Sequence, residues 1–312
     1  MELTMNPSTE FTRRTFLKDA AMAGLAALTL PALPSIGKSY SYNAPGTGLD
    51  LAVAMNGTAA ENTVAAIKAI GGMERFVKKG DVVVLKPNCM TAQAPPRFAV
   101  NTNPDVIRMV VRLCKQAGAK EVIAVENDVS KYFRKSGIGK VMVEEGGHWE
   151  VTSKRSNFRE IQLPQGVLLH RTEILKCVLD ADVFINTPIA KHHGTADLSL
   201  GMKNFMGVNF DRVIMHEIGL QQTIADLASG VKPQLTVMDA NYMLLSNGPA
   251  GPGKTLNRKT VVVGTDMVLV DAYTATLFNL KPIEIGYVGC AAEMGLGCID
   301  LNRVRIQEFN LQ

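Results

Sequence analysis

The chain has 312 residues, 46% of them hydrophobic and 20% charged, with 27 Gly and a single Trp. That composition excludes a disordered or collagen-like chain and is enough for one large domain or two modest ones. Its 33 basic and 29 acidic residues are interspersed, for a net charge of +4, without the clustered basic face that nucleic acid requires, and five scattered Cys exclude a disulfide scaffold.

Residues 1–38 read as an address. Arg13-Arg14 precedes Phe16-Leu17-Lys18, a short apolar stretch from Ala20 to Leu30, and the helix-breaking Pro31 and Pro34. The stretch is shorter than the roughly 20 apolar residues a bilayer demands, so no permanent membrane span is expected. The adjacent arginines resemble a twin-arginine signal, which implies the twin-arginine translocase as a partner and an exported, periplasmic location. No clean Ala-x-Ala marks a cleavage site, and no Cys precedes Cys89 to carry a lipid.

After a linker over 39–48, one α/β domain is expected over 49–312. Leu49 to Met55 reads as a strand, and Thr58 can cap a helix from Ala59 to about Ile70. Asp81 to Lys86 is a continuous apolar strand. Asn103-Pro104-Asp105 opens a helix whose stripe is Val106, Val110, Leu113 and Ala117, and Glu121 to Val125 is the next strand. A helix is expected around Gly137 to Glu145 and a small inserted lobe over Val151 to Thr172. Strands follow at Asp182 to Asn186, Gln234 to Met238 and Thr260 to Val263, with helices around Gln221 to Ala228 and Met267 to Phe278. Short apolar strands alternating with helices predict a doubly wound, mostly parallel sheet covered on both faces.

In such sheets the working groups sit beyond the carboxyl ends of the strands. Lys86-Pro87-Asn88-Cys89, Glu126-Asn127-Asp128, Asn186-Thr187-Pro188 and Asp239-Ala240-Asn241 occupy those places, although any one of them can equally cap a helix or make a turn. Gly248 to Thr255 matches a nucleotide phosphate loop letter for letter. Pro249 and Pro252 lack the N–H groups that cradle phosphate, and a β-branched run follows where a helix is needed. Nucleotide binding there is not expected.

The most polar segment runs from Asn186 to His216. It holds Lys191, His192, His193, Lys203, Asn204, Arg212 and His216, and therefore three of the five His in the chain. Imidazoles ligate metals or transfer protons, and lysines hold anions or attack carbonyls. No fixed His-x-x-His spacing enforces a metal, and solvated loop residues are the bland alternative.

Along the chain, Val84-Leu85-Lys86-Pro87-Asn88, Thr102-Asn103-Pro104, Gly118-Ala119-Lys120, Asn186-Thr187-Pro188 with Lys191-x-His193, Leu200-x-x-Lys203-Asn204-x-x-Gly207, His216, Asp239-Ala240, Gly248-Pro249, Asp271-Ala272 and Gly295-Leu296-Gly297 follow one another. That ordered series resembles the domain-of-unknown-function family 362, sometimes fused to iron–sulfur modules. No Cys-rich insert is present, so a four-Cys cluster is not supported. His193, Lys203 and His216 are distantly similar to the nickel-pincer lactate racemases, in which a lysine holds the cofactor covalently. The second interval is shorter here.

These resemblances and residues imply a cleft for a metal ion or small anionic cofactor, in a redox or isomerase-type enzyme. Lys191, His193 and Lys203 are the catalytic candidates. Lys86, Asn88, Asn204, Asp239 and Asp271 are the cofactor-binding ones, and His193 and His216 the metal ligands. The rivals are a non-enzymatic cofactor or electron carrier, an assembly accessory for an exported partner, and a plain organic-anion binder.

Overall fold

The computed structural model describes residues 48–311 apart from 93, 128 and 129. The expected signal, and the linker up to residue 47, lie outside the described residues.

The first half of the domain is regular βα alternation. Strand β1 (Leu51–Met55) leads into helix α1 (Ala59–Ala69), β2 (Val82–Pro87) into α2 (Pro104–Gln116), and β3 (Glu121–Glu126) into α3 (Ser130–Lys135), α4 (Ile138–Glu144) and β4 (His148–Val151). Local chemistry sets these boundaries. Thr58 Oγ1 accepts from Glu61 N at 3.2 Å while the Glu61 carboxylate accepts from Thr58 N at 2.8 Å, closing a capping box. Asn103 Oδ1 accepts from Asp105 N at 3.0 Å at the start of α2, with Pro104 in the first turn.

The second half begins with a hairpin, β5 (Phe158–Gln162) and β6 (Arg171–Leu175), which forms a separate two-stranded sheet in the region expected to be a small lobe. Next come α5 (Lys176–Asp180), β7 (Val183–Thr187), the hairpin β8 (Ile189–His193) and β9 (Asp197–Ser199), α6 (Gly201–Asn204), α7 (Val213–Ile218) and α8 (Leu220–Gly230). The chain then closes with β10 (Leu235–Leu244), β11 (Thr255–Gly264), α9 (Met267–Thr276), α10 (Gly286–Glu293) and β12 (Ile306–Asn310).

The main sheet runs β12-β1-β11-β10-β7-β2-β3-β4, with β8 and β9 branching from β10. All neighbours on the main path are parallel except β11, which is antiparallel to both β1 and β10. The α/β class with a mostly parallel sheet is therefore observed. Alternate side chains of each strand feed two cores. Leu51, Val53 and Val84 face α8, α9 and α10, whereas Ala52, Ala54, Val83 and Leu85 face α1, α2 and α4. Full burial of an aliphatic side chain stabilises by roughly 1.5–3 kcal/mol, so both faces matter. No helix among the described residues is long and apolar enough to cross a membrane.

Three features depart from the sequence reading. β10 continues to Leu244 instead of ending near Met238, because its outer half pairs with β11 (Tyr242 with Asn257, Leu244 with Thr255) beyond a register shift at Ala240/Tyr242. Asp239 and Asn241 are consequently strand residues, not loop residues. Asn186 to His216 is not one long loop but two short strands and two helices. α3, β4, α5, α10 and β12 were not read from the sequence at all.

At Thr255 the chain enters β11 directly, so no helix follows Lys254, as expected for a segment that is not a phosphate loop.

Candidate functional site

From β2 the chain moves through α2 to β3, on the α1/α2/α4 face. From its neighbour β7 it moves through α8 to β10, on the opposite face. Connections that leave to opposite sides open a crevice at the carboxyl ends of β2 and β7, the switch point where such folds bind ligands. The unusual residues converge there.

Lys86, the penultimate residue of β2, is fully buried. Its Nζ donates to Glu126 Oε2 at 2.7 Å, to the Pro87 carbonyl at 2.6 Å and to Asn204 Oδ1 at 3.3 Å. Burial pushes the Glu126 carboxyl up in pKa, against the pull of the Lys86 ammonium. Gly207 closes over this pair, since a Cβ there would run into the Glu126 carboxylate and the Lys86 side-chain end. Asn204 Nδ2 donates to Asn186 Oδ1 and to the Lys86 carbonyl, both at 2.8 Å, and Asn88 Nδ2 donates to Asn204 Oδ1 at 3.1 Å.

Lys191, on β8, is also fully buried. It donates to Asn88 Oδ1 at 2.8 Å and to the Val100 carbonyl at 2.7 Å, with no carboxylate among the described residues bonded to it. Burial first, then the nearby Lys203 charge, brings its pKa down to about 7. Lys203 is half-buried on α6. Its only polar contact among the described residues is Met206 Sδ at 3.5 Å. Burial and the Arg212 guanidinium lower its pKa to about 8.

His193 Nδ1 accepts from Thr195 N at 3.2 Å and Ala196 N at 3.3 Å, so the neutral ring carries its proton on Nε2. Burial, reinforced by Lys203 and Lys191, holds its pKa down at about 3. His216, exposed on α7, is lowered by burial and by Lys203.

The structure thus brings Lys86, Asn88, Lys191, His193, Lys203, Asn204 and His216 into one electrostatic neighbourhood. Its exposure falls inward from His216, through half-buried Lys203 and His193, to Lys191 and Lys86. Asp239 and Asp271 belong to the frame. Asp239 Oδ2 accepts from Asn103 N at 2.7 Å, and its Oδ1 accepts from Asn241 N and Nδ2 at 3.0 and 2.7 Å. Asp271 accepts from Gly201 N at 2.6 Å and Met202 N at 2.9 Å, capping the helix that carries Lys203. Burial raises the pKa of both, that of Asp271 to about 7.

Among the described residues no three His, Cys, Asp or Glu converge to hold an ion, and His193 Nδ1 is engaged by Thr195 N and Ala196 N. Sequence reading noticed Glu126 and Asn186 at strand ends, Arg212 in the polar segment and Gly207 in the ordered series, but named none of them as a site residue. A lone acid ending the apolar run of β3 was the available signal for the first. Cys89, buried with its thiol pushed up to about 11 by burial, is poorly suited to be a nucleophile.

Residues 83–276 match the family described as a domain of unknown function, DUF362. Thylakoid-associated protein sll1697 of Synechocystis is 25% identical over 252 residues, 74% of this chain and 73% of that protein. The lactate racemase apoprotein of Thermoanaerobacterium thermosaccharolyticum is a solved structure with a TM-score of 0.43 and 13% identity, covering 81% of this chain. This chain spans 58% of the length of that one.

Proposed function

On the premise that this chain belongs to the DUF362 family, we propose that it is a cofactor-binding, enzyme-like protein. Its switch-point cleft takes a small organic anion, and Lys203 is its reacting amine. One observation carries the reading. The Lys203 ammonium is withdrawn from water among Arg212, Lys191 and two imidazoles, yet no carboxylate or carbonyl among the described residues answers it. Positive charge withdrawn from water without a partner is costly, and an anionic ligand relieves that cost.

The chain's own groups supply acid–base and imine chemistry. His193 Nε2–H is a neutral donor for the ligand's oxygens. The Lys203 amine, with a pKa near 8, is a competent base or nucleophile close to neutral pH. This favours the isomerase side of the sequence reading.

Glyoxylate tests the proposal, because it joins a carboxylate to an aldehyde. The Lys203 amine attacks the aldehyde carbon, water leaves, and added cyanoborohydride reduces the imine to a stable secondary amine. At neutral pH and low reagent excess, mass spectrometry should find the adduct concentrated on Lys203 and lost in Lys203→Arg, since guanidinium forms no such imine. Adducts spread over the exposed lysines would overturn the reading.

Export by the twin-arginine route belongs to the same proposal, supported by Arg13-Arg14 and the apolar stretch behind them. Replacing both arginines by lysine keeps the charge and loses the guanidinium pair. The double variant should accumulate in the cytoplasm. Its normal appearance outside would refute this part alone.

A further inference from the structure

A cavity of about 400 Å³ opens beyond the carboxyl end of β1, beside the outer halves of β10 and β11. Its walls include Asn103 and Asn241 at the back, Tyr242 and Asn257 from the β10–β11 arm, and Glu61 and Lys259 at the mouth. None of these residues belongs to the lysine cluster.

Asn103 is only 8% exposed, and its amide orientation is fixed by chemistry. Its Oδ1 must face Asp105 N, which it accepts at 3.0 Å, so Nδ2 is the atom left over, and it has no hydrogen-bond partner among the described residues. A donor that the protein leaves unanswered, on a side chain otherwise buried but open to the cavity at this atom, points to a ligand. The Asn241 amide is held in place, its Nδ2 donating to Asp239 Oδ1 and its Oδ1 accepting from Asn62 Nδ2. The Asn257 amide, the Tyr242 hydroxyl and the Lys259 ammonium also have no hydrogen-bond partner among the described residues. The Glu61 carboxylate uses one oxygen on Thr58 N and keeps the other free.

We infer that this cavity is a second binding site, for a neutral polyhydroxylated ligand of monosaccharide size. Two features select that class. Lys259 and Glu61 cancel, so the wall carries no net charge to hold a multiply charged ion. Donors and an acceptor that the protein leaves unanswered line one cavity, and a hydroxyl group satisfies both kinds at once, with the aromatic side chain of Tyr242 also in the lining. The volume lies at the lower end of the roughly 300–1,000 Å³ usual for small-molecule sites.

The test uses the full chain and ligand-observed saturation-transfer NMR with a panel of pentoses, hexoses and their methyl glycosides, beside inorganic phosphate. At least one sugar should bind and phosphate should not displace it. Asn103→Asp is the informative variant. Aspartate keeps the oxygen that caps α2 and replaces only the cavity-facing donor by an acceptor. It should weaken sugar binding roughly tenfold with the melting temperature little changed. Asn257→Leu, on an exposed strand position, should weaken binding as well and guards against a misfolded first variant. Silence across the sugar panel overturns the proposal. So does displacement of the sugar by phosphate, or wild-type affinity in both variants.

Discussion

Glu126→Ala is expected to cost about 3–5 kcal/mol of stability, the range for removing one partner of a buried ion pair. The cause is what remains. Lys86 is fully enclosed, its Nζ lies 2.7 Å from Glu126 Oε2, and its other acceptors are one carbonyl and one amide oxygen. Without the carboxylate, a buried ammonium keeps its charge uncompensated or gives up its proton. Glu126→Gln should cost less, since an amide oxygen can still accept from Lys86 and the volume is preserved. Combining Lys86→Met with Glu126→Leu should recover much of the loss, because the uncompensated charge is then gone. Urea denaturation of the three proteins measures the effect. A cost below about 1 kcal/mol for Glu126→Ala would mean that water reaches Lys86 and that the pair is not the closed unit described.

Asp271→Ala is expected to be comparably severe. Two backbone donors, Gly201 N and Met202 N, lose their acceptor inside the protein at roughly 1–3 kcal/mol each, or about 2–6 kcal/mol together. The loss should also reach the site, because α6 carries Lys203, so glyoxylate trapping should fall even under conditions where the variant is folded. Asp271 also predicts a pH dependence. Its folded pKa is raised from 3.8 to about 7. Between those values the folded protein retains a proton that the unfolded chain has released, so the contribution is full at acid pH and is lost as pH rises through that window. Glu126, Asp239 and Asp266 are shifted in the same direction. These carboxylates therefore contribute a decline in stability from about pH 4 toward pH 7, opposed by His193 and His216, whose lowered pKa values favour the folded state as pH rises, and Asp271→Asn should remove its part of that decline. A variant with the wild-type slope would remove Asp271 from the explanation.

The parts of this molecule that could be read from its sequence are those whose causes are local. The α1 and α2 boundaries follow from Thr58, Glu61, Asn103 and Pro104, each acting within three residues of itself. The crowding of lysines and imidazoles between Asn186 and His216 likewise needs no third dimension to notice. Glu126 could not be understood that way, because its meaning is Lys86, forty residues earlier, and Gly207, which leaves room for both. Asp239 and Asn241 look like turn formers in isolation. They become strand residues only because β11 returns to pair with that arm and Asn103 needs an acceptor for its N–H. Asp271 reads as an acid on an apolar helix until the start of α6 is seen to end against it.

The pairing of β1 carries a further implication, for the order in which the molecule can assemble. Its neighbours are β11, with Leu51 opposite Gly264, and β12, with Leu51 opposite Ile306. Both neighbours lie downstream, so these two ladders cannot form on Leu51–Met55 until more than two hundred further residues have been synthesised. The β2–β3–β4 block, by contrast, closes on neighbours nearby in the chain. Contacts of such long sequence separation form slowly and leave apolar strands exposed while they wait. A chain halted before residue 255 would hold Leu-Ala-Val-Ala-Met as an unpaired, uncharged strand, with other copies of itself as its readiest partners.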